Sequence, residues 1–141
     1  MQSSARNVFF SRVASVRKGP LLTEVSMTAQ HGLELVSVIT TESYEGMGLA
    51  EGLAVTALVK PPEILIGKDS RKLLTSARNN FAGRITGVRG DGVAVEILGE
   101  LSGGTPMCAL ITAKSVENLN ITVNDQVWFF FKAFNVILSI D

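Results

Sequence analysis

Five polar residues occur twice in this chain, in one order and at one spacing. Ser4, Arg6, Thr40, Ser43 and Lys60 return 72 positions later as Ser76, Arg78, Thr112, Ser115 and Lys132. Arg supplies a planar fork of N–H donors, Lys a point charge, and Ser and Thr hydroxyl groups. A set of donors with no carboxylate or imidazole among them suits an anion that carries no proton at neutral pH. Thr40 and Ser43 are three apart at an expected helix start, as are Thr112 and Ser115. Both hydroxyls and the unpaired N–H groups of the first turn can therefore converge on an anion there. Each residue taken singly has a plainer role. Thr40 and Thr112 serve as N-caps, Lys60 as a strand residue with an exposed head, and Arg6 as a partner for Glu24 or Glu51. Repetition of the whole set favours the anion.

Other chemistry is poorly supplied. Glu24 and Glu96 also repeat, but a carboxylate on the open face of a strand is ordinarily solvated or salt-bridged. No nucleophile–base set, metal-ligand cluster or phosphate-cradling Gly loop is present. The chain is therefore expected to be non-enzymatic, with no metal site and no cofactor. It has a single His31 and a single Cys108, and Cys108 lies in an apolar run and reads as a small hydrophobe.

The elements that would position the donors repeat as well. Ser4-Ala5-Arg6-Asn7 equals Ser76-Ala77-Arg78-Asn79, and the alignment continues without a gap through Phe9 and Phe81, Arg12 and Arg84, Gly32 and Gly104, and Val55 and Val127. An internal repeat of this kind sets the domain plan. The first lobe is 1–67, the linker 68–75 and the second lobe 76–141. Each lobe opens with an extended stretch, Asn7 to Val16 or Asn79 to Val88, and turns at Lys18-Gly19-Pro20 or Gly90-Asp91-Gly92. Thr23, Val25 and Met27 then alternate with Leu22, Glu24 and Ser26, as in a half-buried strand. A second hairpin lies at Gln30-His31-Gly32 and Ser102-Gly103-Gly104. The third strand, Leu33 to Thr40 or Thr105 to Thr112, leads into a short helix that stops at Gly46 or Asn118. Leu53 to Lys60 and Asp125 to Lys132 form a fourth strand. Glu63 to Ile66 and Asn135 to Ile140 form a fifth that ends each lobe. The fold class is mainly β: two tandem OB-like five-stranded Greek-key barrels, each with one short helix.

Lys plus Arg number 13 and Asp plus Glu 13, so no broad electrostatic footprint for nucleic acid or an anionic membrane exists. Apolar residues make up 46% of the chain. In the second fourth strand Val127, Phe129 and Phe131 lie on one face and Trp128 and Phe130 on the other. Both faces need cover, so an oligomer with extensive lobe–lobe contacts is expected. Met1–Arg6 lack a charged region followed by an apolar core, so no signal peptide is expected. Val127 to Leu138 is too short and too interrupted to span a bilayer. A cytoplasmic, soluble protein follows.

Ser-Ala-Arg-Asn-x-x-Phe, then Glu24 or Glu96, then Ile-Thr-x-x-Ser, then Val-x-x-x-x-Lys, resembles the molybdate-binding Mop domain (TOBE type). Two copies across essentially the whole chain look like a di-domain molbindin. The resemblance implies an intracellular binder of molybdate or tungstate serving molybdenum storage or homeostasis. It implies a homotrimer with sites between lobes. The ligand contacts map onto Ser4, Arg6, Thr40, Ser43 and Lys60, and onto Ser76, Arg78, Thr112, Ser115 and Lys132. Each site would join the tetrad and Lys of one lobe to the Thr and Ser of a neighbour. Two positions depart from the pattern: Pro61 stands where the second lobe has Ala133, and Ser11 where it has Gly83. Pro61 lacks a backbone N–H. Two other readings compete. A single-stranded nucleic-acid module on the same barrel would need basic grooves and stacking aromatics, which a neutral chain with clustered aromatics does not offer. A regulatory oligomer that senses the anion would need a partner.

Overall fold

The alternation of apolar and polar residues is realised as strands. The computed structural model describes residues 7–69 and 71–140. The first repeat forms β1 (Asn7–Lys18), β2 (Leu22–Ala29), β3 (Glu34–Thr40), α1 (Thr41–Gly46), β4 (Ala54–Val59) and β5 (Leu65–Gly67). The second forms β6 (Asn79–Gly90), β7 (Ala94–Leu101), β8 (Pro106–Thr112), α2 (Ala113–Leu119), β9 (Gln126–Phe131) and β10 (Ile137–Ser139). On β2, Thr23, Val25 and Met27 are buried while Glu24 and Ser26 face out, as the pattern requires. Ala14 is an extra residue in β1, because the register moves between Val13 and Ser15. That bulge resets the alternation, so Val16 rather than Ser15 packs on the core.

Two expected boundaries move. The first residues assigned to the fifth strands form 3-10 turns, Pro61–Glu63 and Ala133–Asn135, so those strands shorten to β5 and β10. The second helix stops not at Asn118 but at Asn120, whose left-handed φ of 50° forms the C-cap.

Each sheet is antiparallel and in Greek-key order, and it is completed from outside its own repeat. The orders are β10-β4-β1-β2-β3 and β5-β9-β6-β7-β8. Thus Ile137 to Ser139 pair with β4, and Leu65 to Gly67 pair with β9. The fifth strands exchange. This partly covers the outer face of β9: Gly67 stands opposite Trp128 and Leu65 opposite Phe130, and both aromatics are half-buried. A Cβ on Gly67 would collide with Leu73 of the linker, which closes over the same spot.

One buried cluster runs through both repeats, with the rings of Phe9 and Phe131 stacked at 6.3 Å. The repeats fill matching volume differently. Phe129 is fully buried, and a Cβ on Gly99 would overlap its ring. The equivalent pair in the first repeat is Ala57 and Met27, both buried, so the bulk comes from the other strand. The same exchange explains Ser11. A Cβ on Gly83 would lie 2.9 Å from the Phe129 ring, a clash that Ala57 does not create for Ser11.

Two asparagines sew the sheets together. β3 and β8 are sheet edges with unpaired backbone groups. The Asn7 amide donates to Cys108 O at 2.8 Å and accepts from Cys108 N–H at 2.7 Å, and it also donates to Val59 O at 3.0 Å. Asn79 repeats the pairing on Val36, donating to its carbonyl and accepting from its N–H, both at 2.8 Å. Each side chain acts as one residue of an extra strand on the other repeat's edge. Ser37 Oγ adds a buried bond to Val136 O at 2.8 Å.

Candidate functional site

The Thr-x-x-Ser pairs are fixed by their own hydroxyls. Thr40 is extended at the start of α1, and its Oγ1 accepts from Ser43 N–H at 3.1 Å and donates to Ser43 Oγ at 2.8 Å. Thr112 and Ser115 match this at 3.1 and 2.9 Å. Some of the backbone donors at these helix starts are also committed. Thr41 N–H bonds Leu21 O and Ala113 N–H bonds Val93 O, each at 2.9 Å. These bonds occupy two of the first-turn N–H groups at each helix start. The Ser43 and Ser115 N–H groups are spent on the caps, and the outward donor is the hydroxyl chain itself. In the first repeat Thr41 Oγ1 anchors the turn, bonding Gly19 O at 2.7 Å and Thr23 Oγ1 at 2.8 Å.

The cationic half arrives from the other repeat. Asn79 and Phe131 are the last pair of the β6–β9 ladder; Arg78 immediately precedes the one and Lys132 immediately follows the other. Asn79 is bonded to Val36 on β3, and β3 runs on to Thr40. Arg78 Nη1 donates to Glu24 Oε2 on β2 at 2.9 Å. Glu24 pairs across the strands with Val38, and Leu22 with Thr40. Thr40 therefore lies a diagonal step from Glu24 on the outer face, about 7–8 Å between backbones. After Lys132 the chain turns through Ala133–Asn135 alongside β3. A groove of about 440 Å³ results, with Leu22, Thr40, Ser43 and Met47 on one side and Phe134 and Ile137 on the other. Ser76 is exposed in the segment leading to Arg78.

The pseudo-equivalent arrangement has the same frame. Asn7 and Val59 end the β1–β4 ladder, Asn7 grips Cys108 on β8, and β8 leads to Thr112 and Ser115. Lys60 follows Val59. Ser4 and Arg6 lie outside the described residues, as do the contacts expected of Arg6 with Glu24 or Glu51. Pro61 opens a 3-10 turn whose Glu63 N–H bonds Lys60 O at 2.9 Å; the Asn135 N–H to Lys132 O bond matches it at 3.0 Å. The turn thus keeps its form with proline in place of Ala133.

Glu24 and Glu96 take the salt-bridged role expected of a strand carboxylate: Glu24 binds Arg78, and Glu96 binds Arg89. Reasoning from donors alone passes over Asn7 and Asn79. The signal was there, since both belong to the repeated tetrad. Among the described residues, no group of three or more His, Cys, Asp or Glu side chains is gathered as for a metal ion. No helix among them is long and apolar enough to cross a membrane.

Comparison with known proteins gives this geometry a lineage. The molybdenum transport protein ModE of Herbaspirillum seropedicae is 29% identical over 140 residues, covering 99% of this chain and 52% of that protein. The molybdenum-pterin-binding protein MopA of Rhodobacter capsulatus is 34% identical over 140 residues, again 99% of this chain and 52% of that one. The chain spans about half the length of these relatives. Among solved structures, the cytoplasmic molybdate-binding protein ModG with molybdate bound superposes with a TM-score of 0.95 at 34% identity, covering 100% of both chains. The TOBE domain profile matches residues 3–66 and 75–138, one match for each repeat. With both repeats matched and the whole fold shared, the chain belongs to the TOBE-domain family.

Proposed function

We propose that this protein binds molybdate or tungstate as an intact oxyanion, without catalysis, and serves cytoplasmic molybdenum storage and homeostasis. One observation carries the reading. Asn79, next to Arg78 and paired with Phe131 next to Lys132, is bonded to Val36 on the β3 strand that leads to Thr40 and Ser43, which supports bringing these groups together. In this reading the two cations of one repeat and the Thr40–Ser43 hydroxyl pair of the other, whose outward O–H is that of Ser43, make a donor-rich set suited to a tetrahedral dianion. Ser76 extends this set. Lys60, Thr112 and Ser115, with Ser4 and Arg6, form its duplicate. The repeats 1–67 and 76–141, joined by 68–75, are half-sites for each other. ModG, with molybdate bound, shares the fold and 34% of its sequence.

The active form is a homotrimer in this reading. Leu21 is 80% exposed and its counterpart Val93 78%, both next to the helix starts, and Phe134 in the groove is 66% exposed. Apolar residues so placed are the ones a neighbouring copy would cover.

Equilibrium dialysis against sodium molybdate, read with native mass spectrometry, tests both parts. Arg78→Ala and Lys132→Ala should each remove one anion per chain, and Lys60→Ala the other. Full uptake by all three variants would sink the site assignment. A monomeric mass at full anion occupancy would sink the trimer.

A further inference from the structure

Glu24 does more than neutralise a surface charge. Its cross-strand neighbour on β1 is Arg17, yet its ion pair is with Arg78 of the other repeat. The Glu24 side chain is the more enclosed partner, 27% exposed against 53% for Arg78. The contact uses a single guanidinium nitrogen, Nη1, at 2.9 Å, so the remaining N–H groups of the fork stay available. An unrestrained Arg would lose rotamer freedom on capturing an ion, and prior restraint removes that penalty from binding. Thr40 lies one diagonal step away on the same face.

We propose that Glu24 is a positioning residue for the oxyanion site, holding Arg78 of the second repeat beside Thr40 and Ser43 of the first. This rests on the anion reading above. It does not depend on Glu24 touching the anion, whose charge it would repel. The two substitutions at this position therefore act differently. Glu24→Ala frees Arg78. Glu24→Gln keeps an acceptor for Arg78 and removes the opposing charge.

Calorimetric titration of the full chain with sodium molybdate tests this. Glu24→Ala should weaken one class of site roughly tenfold, while Glu24→Gln stays within about threefold of wild type or binds more tightly. The other class of site, built on Lys60, Thr112 and Ser115, should be unchanged by Glu24→Ala. The thermal midpoint without molybdate should move little, because an ion pair this exposed contributes little to stability. Unchanged or tighter binding by Glu24→Ala, or an equal loss at both classes of site, would overturn the positioning role and leave the anion reading standing. No molybdate binding by the wild-type chain would overturn both.

Discussion

Asn7→Ala should be among the most damaging single substitutions in this chain, although it removes only a small polar group. Asn7 is 1% exposed and makes three hydrogen bonds, two of them to the backbone of Cys108 in the other repeat. An intact bond contributes about 1 kcal/mol net, but a buried polar group that loses its partner costs about 1–3 kcal/mol. Alanine takes the amide away from both the N–H and the C=O of Cys108, so the loss is about 2–6 kcal/mol. For a chain of this size that is a fall of roughly 10 °C or more in thermal midpoint. Asn7→Asp keeps the shape but replaces the donating nitrogen with an oxygen that faces two carbonyls. It should be at least as harmful at neutral pH. Asn79→Ala breaks two bonds to Val36, which is only half-buried so that water can replace the amide, and should cost less, about 2 kcal/mol. Thermal unfolding followed by circular dichroism, with urea titration on Trp128 fluorescence, reads all three. An Asn7→Ala midpoint within about 3 °C of wild type, or a smaller loss than Asn79→Ala, would refute the view that these amides substitute for strand pairing.

Three further outcomes are expected. Gly99→Ala should lower stability by about 1–3 kcal/mol, since its Cβ overlaps the immobile Phe129 ring, and adding Phe129→Leu should recover part of that. Thr41→Val should destabilise the chain and weaken molybdate binding at the Thr40–Ser43 site. Adding Thr23→Val should cost less than the sum of the single changes, because the second repeat carries Val95 and Ala113 at these places; a thermodynamic cycle measures the coupling. Asp91 and Asp125 are held below the ordinary carboxyl value of 3.8, Asp91 by the N–H groups of Ala94 and then Val93, Asp125 by Thr122 N–H and then Lys68. A lowered folded value contributes stability that is present above pH 3.8 and lost as pH falls through the folded value. The double variant Asp91→Asn with Asp125→Asn should therefore show a flatter acid limb of stability against pH.

Much of the local structure around the candidate site was legible because it is set by near neighbours in the chain. Thr-x-x-Ser caps its own helix, and the alternation around Val25 and Val95 fixes which faces are buried. The repeat fixed the Greek key. The fifth-strand exchange was not legible, because a short apolar strand such as Leu65–Gly67 fits the fourth strand of either repeat equally well. Periodicity names the face a residue occupies and says nothing about which sheet it joins. The choice lies in the turn at Pro61–Glu63, which sends the chain away from its own β4. Asn7 and Asn79 were opaque for a related reason. A polar residue at the start of a strand reads as surface until another repeat's edge arrives to bury it. Met27 and Ala57 against Gly99 and Phe129 were opaque individually, since each size makes sense only beside its partner.

The exchanged strands make the linker a kinetic component. Two separate repeats would have to meet in solution before either sheet could close, and their stability would depend on concentration. Joined through the segment between β5 and β6, each meets its partner at an effective concentration near the millimolar range. The duplicated chain is in effect a dimer that dilution cannot separate. Cutting that linker would turn a unimolecular folding step into a bimolecular one without removing a single strand.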